Sequence, residues 1–458
     1  MRTRRVVLLL GFLAVIGVGA FVVYRSSWVR SWFARDSENL DEMTRLRESP
    51  LKLAPAADPA AGWPHWRGPT RDGRLPEGPI RTDWDAKKPA LLWRADCSAG
   101  FSSCSVVGGR LYSQDYSDDQ ERVFCLDAAT GKPLWEYRYP VDYAGTDLGQ
   151  PAGPRATPTV VGNRVYTVGG AGKLLCLEPP AEGGTTPRVV WQQELVRDFG
   201  GKLEQWGVAC SPLVEGDLVI VQPGGERGAV AAFDRESGQL RWTAGDNPAG
   251  YSSPIVATAG DRRLILALTG NALLVVGLGG EVLDRYEWKT QFQGNIATPL
   301  AVADYVFISS AYGMGSALLR LDARDGGVKL VEVYARRGHA FQNHHCTSLY
   351  KDRHLFGFDG MGGARLKCVS IDTGKVVESW EAEGVDKGTL ILAGDYLIIQ
   401  SERGDLALVT ATHTEFDLVA KLPRVLSGRN NWATPTLVGG LLYLRDDQKV
   451  VCYDVRPR

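Results

Sequence analysis

Residues 156–166 read Ala-Thr-Pro-Thr-Val-Val-Gly-Asn-Arg-Val-Tyr, and this stretch decides the fold. Its two β-branched or aromatic runs predict short strands, and Gly162-Asn163 between them supplies the positive-φ turn of a hairpin. A second phrase, at 125–135, reads Cys-Leu-Asp-Ala-Ala-Thr-Gly-Lys-Pro-Leu-Trp and predicts a second hairpin that ends on a tryptophan. Together the two phrases describe one antiparallel repeating unit.

The first phrase returns along the chain at an even spacing. Its eight copies give a period of about 47 residues, which lies in the range for four-stranded propeller blades. The sequence therefore predicts an all-β fold, an eight-bladed β-propeller. The hydrophobic residues that align across the copies are Val106, Val160, Val214, Val256, Val302, Tyr350, Leu392 and Val438.

The two ends of the repeat predict how the ring closes. The eighth copy ends near Asp454 without its tryptophan strand, whereas the strand around Trp93 stands before the first copy without a blade of its own. We expect the Trp93 strand to complete the last blade from outside. Such a closure buries the open sheet edges of the ring, which are the main liability of β architectures.

Two copies depart from the pattern. In the fifth copy the glycine turn leads to Val331 and Val333 in place of a tryptophan, and in the seventh copy Phe416 is the nearest aromatic residue. These two blades are predicted to be the irregular ones.

The N-terminus predicts attachment to a membrane. Three arginines among the first five residues precede an unbroken apolar run from Val6 to Val23. As a helix this run would span about 27 Å, enough for a thin bilayer core. Residues 1–25 are therefore interpreted as an uncleaved signal anchor and transmembrane helix. Cleavage after Ala20 is the alternative, because the residues before it form an acceptable signal-peptidase site.

The chain is thus divided into three parts. The anchor at 1–25 is followed by a stalk at 26–62, which holds at most one short helix, and by the propeller at 63–458. Export of the propeller would place it in the periplasm of a bacterium, tethered to the inner membrane by a single pass.

The charge balance bears on the class of partner. The chain has 52 basic and 53 acidic side chains, with a formal net charge of -1. Such a chain has no strong field to gather nucleic acid, so nucleic acid is not expected as a partner. The 53 glycines and 13 tryptophans suit a turn-rich β protein with an aromatic core.

Three copies carry a recognisable signature, at 127–135, 234–242 and 372–380. They begin Asp-Ala-Ala-Thr-Gly-Lys, Asp-Arg-Glu-Ser-Gly-Gln and Asp-Thr-Gly-Lys, and each ends on a tryptophan. They resemble the repeat of the pyrroloquinoline-quinone-like (PQQ-like, or quinoprotein-like) propeller family. Its members include quinoprotein alcohol dehydrogenases and the propeller lipoprotein of the outer-membrane β-barrel assembly machine. The resemblance covers about residues 63–454 and implies the fold but no particular reaction.

The start of the propeller carries a second resemblance. Residues 63–73 read Trp-Pro-His-Trp-Arg-Gly-Pro-Thr-Arg-Asp-Gly. This segment is similar to the beginning of the same domain in many exported proteins of planctomycete-like bacteria, which implies a membrane-anchored member of that type.

In this family the tryptophan at the end of each blade packs between neighbouring blades, and the matching residues imply the same role here. We expect each ring to be buried, so that removing one costs about 3–5 kcal/mol of stability. The matching residues are Trp93, Trp135, Trp191, Trp242, Trp288 and Trp380.

The segments that lead into the innermost strands mark the candidate binding site, because in a propeller they meet around one mouth of the central channel. They offer cations, amides, aromatic rings and imidazoles, a set suited to a polar or anionic small molecule or to a peptide. Asp386 is their one carboxylate, too few for a hydrolytic pair or a hard-metal cage. The alternative is that these groups satisfy one another and hold water. The candidates are Arg155, Trp206, Tyr251, Asn295, Asn343, His344, Lys387, Asn431 and Trp432.

Four of the six histidines lie between His339 and His354, yet no metal site is predicted. His344 and His345 are adjacent, and neighbours on a strand point to opposite faces of the sheet. At most one of them is therefore expected to face the channel. Their predicted role is structural.

The eight cysteines include no adjacent pair. Four of them, Cys125, Cys176, Cys368 and Cys452, share one repeat position and are interpreted as small buried residues. Two more, Cys97 and Cys104, are close enough in sequence for a disulfide, with free thiols as the alternative.

No catalytic signature is found in the sequence, so it favours a non-catalytic, membrane-anchored platform for binding or assembly of envelope proteins or peptides. The alternative is a PQQ-dependent oxidoreductase acting on alcohols or sugars. In that enzyme Trp206 or Trp432 would lie under the quinone. Arg155 or Lys387 would pair with its carboxylates, and Asp386 would be the base. A calcium ligand set and the adjacent cysteine pair of the alcohol dehydrogenases are missing from the sequence, which weighs against this alternative.

Overall fold

The computed structural model describes residues 36–53, 62–75, 80–143, 153–324, 327–338, 340–428 and 430–457. The predicted anchor at 1–25 and the first part of the predicted stalk lie outside these residues. Within the described ranges, no helix is both long enough and apolar enough to cross a bilayer.

The described strands form eight antiparallel sheets arranged as successive blades, which confirms the all-β, eight-bladed propeller. Three strands precede the first blade: β1 (Ser37–Glu38), β2 (Arg74–Leu75) and β3 (Ala90–Asp96). The helices are α1 (Leu40–Glu48), α2 (Leu195–Phe199) and a 3-10 turn at Gln291–Gln293.

Blades 1 to 4 each contain four strands, ordered from the channel outwards. Blade 1 has β4 (Ser105–Val107), β5 (Arg110–Ser117), β6 (Gln120–Asp127) and β7 (Pro133–Pro140). Blade 2 has β8 (Thr159–Val161), β9 (Arg164–Val168), β10 (Lys173–Glu178) and β11 (Arg188–Glu194). Blade 3 has β12 (Leu213–Glu215), β13 (Leu218–Val221), β14 (Val230–Asp234) and β15 (Leu240–Ala244). Blade 4 has β16 (Ile255–Ala259), β17 (Arg262–Leu268), β18 (Ala272–Gly277) and β19 (Val282–Glu287).

Blades 5 to 8 vary more in their outer strands. Blade 5 has β20 (Leu300–Val302), β21 (Tyr305–Ser310), β22 (Gly315–Asp322) and β23 (Lys329–Arg337). Blade 6 has β24 (Leu349–Lys351), β25 (His354–Asp359) and β26 (Arg365–Ser370). Blade 7 has β27 (Gly388–Ala393), β28 (Tyr396–Ser401), β29 (Leu406–Thr410) and β30 (Leu418–Leu422). Blade 8 has β31 (Thr436–Val438), β32 (Leu441–Arg445) and β33 (Lys449–Asp454).

All eight aligned hydrophobic residues lie on the innermost strands, so the predicted period is confirmed. Each of them pairs with the first part of the next strand across a tight turn. Val160, for example, lies opposite Val165, and Gly162 in the turn between them has a φ of 56°. The local sequence pattern therefore predicts this hairpin correctly.

The closure of the ring is also confirmed. Strand β3 pairs with β33, and Trp93 lies opposite Cys452 in that pair. Strand β3 thus completes the eighth blade, so the outer edge of β33 is paired and not open.

The Thr-Pro start of the repeat joins neighbouring blades. A backbone N–H at this position donates to the hydroxyl oxygen of the same position in the next blade, which satisfies two buried groups at once. These bonds run from Thr434 N to Ser103 Oγ (2.7 Å), Ser103 N to Thr157 Oγ1 (3.1 Å), Thr157 N to Ser211 Oγ (2.9 Å), Ser211 N to Ser253 Oγ (2.9 Å) and Thr298 N to Thr347 Oγ1 (2.9 Å).

Three of the tryptophans that end the blades, Trp93, Trp191 and Trp242, pack on a glycine in the turn of the next blade. A Cβ on Gly131 would lie 2.5 Å from the Trp93 ring, and one on Gly238 would lie 2.6 Å from the Trp191 ring. Four of the indoles also donate to a carbonyl in the next blade, as from Trp93 Nε1 to Ala128 O at 3.1 Å, whereas Trp135 Nε1 has no partner among the described residues. The glycine of the Thr-Gly-Lys phrase therefore makes room for its neighbour's tryptophan.

Two of the expected docking positions differ in detail. In blade 5 Tyr334 takes the place of the tryptophan, because its hydroxyl donates to Ile371 O at 2.8 Å and its ring lies on Gly374. In blade 4 Asp284 occupies the equivalent position, whereas the fully buried Trp288 follows four residues later and donates to Ser310 Oγ at 3.0 Å. Trp288 still lies between blades 4 and 5.

The prediction of the irregular blades was wrong. Blades 5 and 7 have all four strands, and each gains a fifth from the N-terminal part of the chain, β1 and β2 respectively. Blade 6 is the three-stranded one, although it carries Trp380. There the chain bends after a single bridge between Val369 and Val376, and a turn delivers the tryptophan to the core.

The segment 36–53, part of the predicted stalk, lies against blade 5. Strand β1 pairs with the outer edge of β23, and helix α1 buries Met43 and Leu46 on the same blade. Glu42 on this helix accepts two hydrogen bonds from Arg320, at 2.6 and 3.0 Å, in a buried bidentate pair. This part of the chain is thus built onto the propeller.

The eight thiols are unbonded and buried. The four repeat cysteines lie within strands, as predicted, and Cys97 and Cys104 belong to the core shared by blades 1, 7 and 8. Burial raises the pKa of Cys97 to about 11 and the pKa of Cys104 to about 12. Both are therefore protonated at neutral pH.

Candidate functional site

One end of the central channel is filled by residues 62–75, which we call the plug segment. It contacts the inner strands or their leading residues in seven blades. The hydrogen bonds join Trp63 to Val106, Pro64 to Val160, Trp66 to Thr298, Arg71 to Pro212 and Pro254, Arg67 to Thr347 and Ser348, and Gly73 to Leu392. The channel therefore has a floor made by the chain itself.

Two arginines hold the plug segment in place. Arg67 and Arg71 are 2% and 5% exposed, and their guanidinium groups donate to backbone carbonyls of the inner strands. Burial lowers the pKa of Arg67 to about 10 and the pKa of Arg71 to about 9. Among the described residues no carboxylate is bonded to either guanidinium, and backbone carbonyls stabilise the two buried charges.

Above this floor lies a cavity of about 470 Å³, a volume typical of ligand pockets. Residues from the segments that lead into the inner strands form its walls, and Trp66 of the plug segment forms part of its base. The lining residues are Trp66, Phe101, Arg155, Gln205, Trp206, Ala209, Ser211, Tyr251, Ser253, Phe292, Ile296, Thr298, Tyr312, His344, His345, Thr347, Met361 and Trp432.

Eight rings follow one another around the wall of the cavity, and we call them the aromatic arc. Successive ring centroids are 3.8 to 6.1 Å apart, so each ring packs on the next. In order they are Tyr251, Trp206, Phe292, Tyr312, His344, His345, Trp432 and Phe101.

Two members of the arc have a strained backbone. Phe292 and Tyr312 have φ of 56° and 59°, a region that bulky residues rarely adopt. Gly294 lets their segments approach, since a Cβ there would lie 2.4 Å from the Tyr312 ring. Phe292 is also 54% exposed at the rim, beside the cavity it lines. Strain of this kind clusters at ligand sites.

Two cations accompany the arc. The Arg155 guanidinium lies 5.2 Å from the Phe101 ring centre, and Lys387 Nζ lies 5.7 Å from that of Trp432. Burial lowers the pKa of Arg155 to about 10 and lowers the pKa of Lys387 below its ordinary value. Lys387 also lies 3.8 Å from Glu402, so it is loosely neutralised.

Both adjacent histidines line the cavity, so the expectation that at most one would face the channel was wrong. The reason is local, because His344 and His345 lie in a bend and not on a strand. Their rings stack with centroids 3.8 Å apart. Burial, followed by the charge of Lys387, lowers the pKa of His344 to about 3, and burial lowers that of His345 well below its usual range. Both imidazoles are neutral at physiological pH.

Three of the nine predicted site residues serve the backbone. Asn295 donates to Thr269 O and Trp288 O, at 2.7 and 2.9 Å. Asn343 donates to Phe358 O at 3.1 Å, and Asn431 donates to Glu402 O at the same distance. These amides tie loops together beneath the mouth. Arg155, Trp206, Tyr251, His344 and Trp432 do line the cavity, with Lys387 behind Trp432.

Sequence reasoning missed several lining residues. Phe292 stands next to a segment that was considered, whereas Phe101 precedes the first copy and Tyr312 lies in the turn between β21 and β22. Trp66 reaches the cavity from the plug segment, far away in sequence. Met361 arrives from a glycine-rich turn between two outer strands, and its only signal was the run of glycines around it.

The quinone and calcium of quinoprotein enzymes were tested against this lining. Arg155 and Lys387 would suit the quinone's carboxylates. A calcium ion needs several carboxylate or amide oxygens, whereas the described lining includes no Asp or Glu. Asp386, the base of the alternative hypothesis, faces Arg403 at 3.9 Å and does not line the cavity. The donor set therefore does not fit the quinone with its calcium.

Among the described residues, no three His, Cys, Asp or Glu side chains gather in a way that could hold a metal ion. Trp432, one candidate for the quinone's stacking surface, is already packed against Phe101 and His345.

Comparison with known proteins decides the family. The family model described as outer membrane protein assembly factor BamB matches residues 77–186 and 145–379. The chain belongs to this family. It is the PQQ-like propeller family whose repeat the sequence resembles.

Solved structures agree on the fold. BamB from Moraxella catarrhalis matches with a TM-score of 0.54 at 14% identity, over 81% of this chain and 98% of that one. The quinohemoprotein alcohol dehydrogenase from Comamonas testosteroni matches with a TM-score of 0.52 at 15% identity, over 88% of this chain and 82% of that one. At these identities the likeness shows the fold alone.

One curated relative is similar in sequence. Quinohemoprotein alcohol dehydrogenase ADH IIB of Pseudomonas putida is 26% identical over 171 residues. The match covers 36% of this chain and 23% of that enzyme, so it spans about a quarter of the relative. The shared feature is again the propeller repeat.

Proposed function

We propose that this protein is a non-catalytic binding platform of the bacterial cell envelope, anchored in the inner membrane, whose mouth cavity holds segments of envelope polypeptides. The observation that carries the proposal is the aromatic arc around a cavity with a closed floor. Aromatic side chains give large contact areas at low entropic cost and are enriched at recognition surfaces. The basic and apolar N-terminus supports the anchor, and membership in the BamB family supports a role in assembly.

The exposed rim supports a polypeptide ligand in particular. Phe292 is 54% exposed and Met361 is 40% exposed, and both border the cavity. Exposed apolar side chains next to a pocket are typical of interaction sites, and methionine adapts to varied partners. The cavity has room for a few side chains, so a segment would sit across the rim with part of it inside.

The test uses the full-length chain in detergent with a photoreactive benzoylphenylalanine at position 292 or at position 278. Leu278 is a matched exposed apolar residue, and its turn, between β18 and β19, lies at the end of the blade opposite the mouth. The probe is reduced, carboxymethylated α-lactalbumin, a permanently unfolded polypeptide. We expect adducts from position 292 and none from position 278. Equal labelling at both positions would contradict the proposal.

A second arm tests the enzyme hypothesis. The same preparation is incubated with pyrroloquinoline quinone and Ca²⁺, desalted, and offered a panel of alcohols and sugars with an electron-accepting dye. We expect neither retained quinone absorbance nor dye reduction. Retention together with turnover would replace the platform by a quinone-dependent oxidoreductase.

A further inference from the structure

Resting on the proposed function, we infer that the mouth cavity selects polypeptide segments in which a carboxylate side chain stands beside an apolar one. The inference has three supports: the positive charge of the cavity, the hydrogen-bonding groups that the histidines leave unused, and the apolar rim outside it.

The charge of the cavity is the first support. Arg155 lines it and Lys387 lies behind its wall, while no acidic residue occurs in the described lining. Lys387 Nζ lies 3.8 Å from Glu402 Oε2, and Oε1 of the same carboxylate accepts a hydrogen bond from Trp432 Nε1 at 3.0 Å. The cavity therefore favours an anionic group, and its low polarity strengthens that preference.

The histidines give the second support. The Nδ1 atoms of His344 and His345 are buried and have no hydrogen-bond partner among the described residues. The Tyr312 hydroxyl lies 3.1 Å from His344 Nε2, and when it donates there, the proton of the neutral ring is on Nδ1. Nδ1 is then a donor without a partner among the described residues, and because it lies beneath the cavity surface, an incoming oxygen acceptor would satisfy it only after the stacked rings shift. Neutral donors next to cations suit a carboxylate better than they suit a metal cation.

The rim distinguishes a polypeptide from a small free acid. Phe292 and Met361 lie at the border of the cavity with large exposed fractions. A free acid inside the cavity would leave this apolar border in water. A segment with an acidic and an apolar side chain next to each other would fill the cavity and cover the border together.

The experiment measures binding by calorimetry to the full-length chain in detergent. The probes are the peptide acetyl-Gly-Phe-Asp-Leu-Gly-amide, its Asp→Asn counterpart, and phenylacetate as the free acid. We expect the acidic peptide to bind roughly tenfold or more tightly than the neutral one, the size of one charge-assisted hydrogen bond. Phenylacetate is expected to bind more weakly than the acidic peptide.

Variants assign the effect to residues. Arg155→Gln with Lys387→Gln should abolish the preference for Asp over Asn, while Lys132→Gln, an exposed lysine on blade 1, should leave it intact. Phe292→Ser should weaken both peptides alike. Leu278→Ser is its matched control. Thermal unfolding of each variant is compared with that of the parent chain.

Two outcomes would overturn the inference: equal affinity for both peptides in the parent chain, or a preference that survives in the doubly substituted variant. The comparison of the two peptides needs no variant, so it stands even if a substitution prevents folding. If the preference is absent but adducts still form at position 292, the binding platform survives and its selectivity does not. If neither peptide binds and no adducts form, the proposed function itself fails.

Discussion

Arg445 Nη1 donates to the carbonyl oxygen of Ser102 at 2.7 Å, and this bond ties the eighth blade to the first. The same nitrogen donates to Ser113 Oγ and Gln114 O at 2.7 Å each, although the side chain is only 2% exposed. Other blade junctions use an amide at the corresponding strand end, as where Gln400 Nε2 donates to Arg445 O at 3.0 Å. The arginine serves the junction where the two ends of the repeat meet.

Replacing this arginine tests the junction. Arg445→Met keeps much of the volume but leaves the carbonyls of Ser102 and Gln114 without their donor, which should cost about 3 kcal/mol or more of unfolding free energy. Urea unfolding of the full-length chain measures the loss. Arg456→Met removes an exposed arginine near the same end of the chain and should change nothing measurable. Similar losses in both variants would refute the role of Arg445.

The glycine beneath Trp93 allows a matched pair of substitutions. Gly131 and Gly162 both have positive φ, at 72° and 56°, but a Cβ on Gly131 would strike the Trp93 ring whereas one on Gly162 meets open space. Gly162→Ala should cost about 1 kcal/mol for the left-handed backbone. Gly131→Ala should cost at least about 1 kcal/mol more because of overpacking. Thermal and urea unfolding compare the two, and equal losses would show that the glycine makes no room for the tryptophan.

The N-terminal helix is attached by an ion pair that responds to pH. Hydrogen bonding from Arg320 lowers the pKa of Glu42 below its ordinary value of 4.5, so the pair stabilises the fold above that value and the contribution is lost as the pH falls below it. Glu42→Gln should destabilise the chain at pH 7 by about 1 kcal/mol and reduce the further loss on acidification. Unfolding measured between pH 7 and pH 3 checks this. Glu48→Gln, on the exposed side of the same helix, should behave like the parent chain.

Glu121 should show the opposite dependence on pH. Its carboxylate is buried in blade 1 beside the hydroxyls of Tyr139 and Tyr143, and burial raises its pKa above 4.5. The folded chain thus keeps a proton on Glu121 that the unfolded chain has lost, so the contribution of this group to stability is greatest at low pH and falls as the pH rises through the folded pKa. Glu121→Gln should flatten that fall.

The control for this change is the exposed Glu226→Gln, which should keep the parent's pH dependence. Unfolding free energies measured from pH 4 to pH 8 compare the three chains. A parent chain that becomes more stable as the pH rises across this range, with the slope unaltered in Glu121→Gln, would contradict the argument.

The ring and its closure could be predicted from the sequence because their signals are local. The turn glycines and the β-branched runs lie within a few residues of one another, and the unpaired strand at Trp93 needs only the count of copies. The missing fourth strand of blade 6 was not predicted, because the expected Trp380 is present but reaches the core from a turn and not from a strand. The attachment of helix α1 to blade 5 was not predicted, because the Glu42–Arg320 pair that fixes it joins residues far apart in the sequence.

Five of the nine predicted site residues line one cavity, but the chemistry of that cavity was predicted only in part. The polar residues of the leading segments were visible, yet Asn295 and Asn343 turn away to satisfy backbone carbonyls, a choice that depends on tertiary hydrogen bonds. The aromatic arc was hidden for a related reason. Phe292 and Tyr312 belong to it because their backbone is in the left-handed region, a conformation that sequence patterns do not predict for bulky residues.

The plug segment closes one end of the channel through the propeller. With Arg67 and Arg71 holding residues 62–75 across the channel, the propeller is a cup with one opening and not a tube. A polypeptide cannot be threaded from one face to the other, and whatever enters past Phe292 must back out the same way. A polypeptide segment bound as proposed would therefore dissociate through the opening by which it entered. The lifetime of that complex would depend on its contacts at the rim and not on an exit at the base.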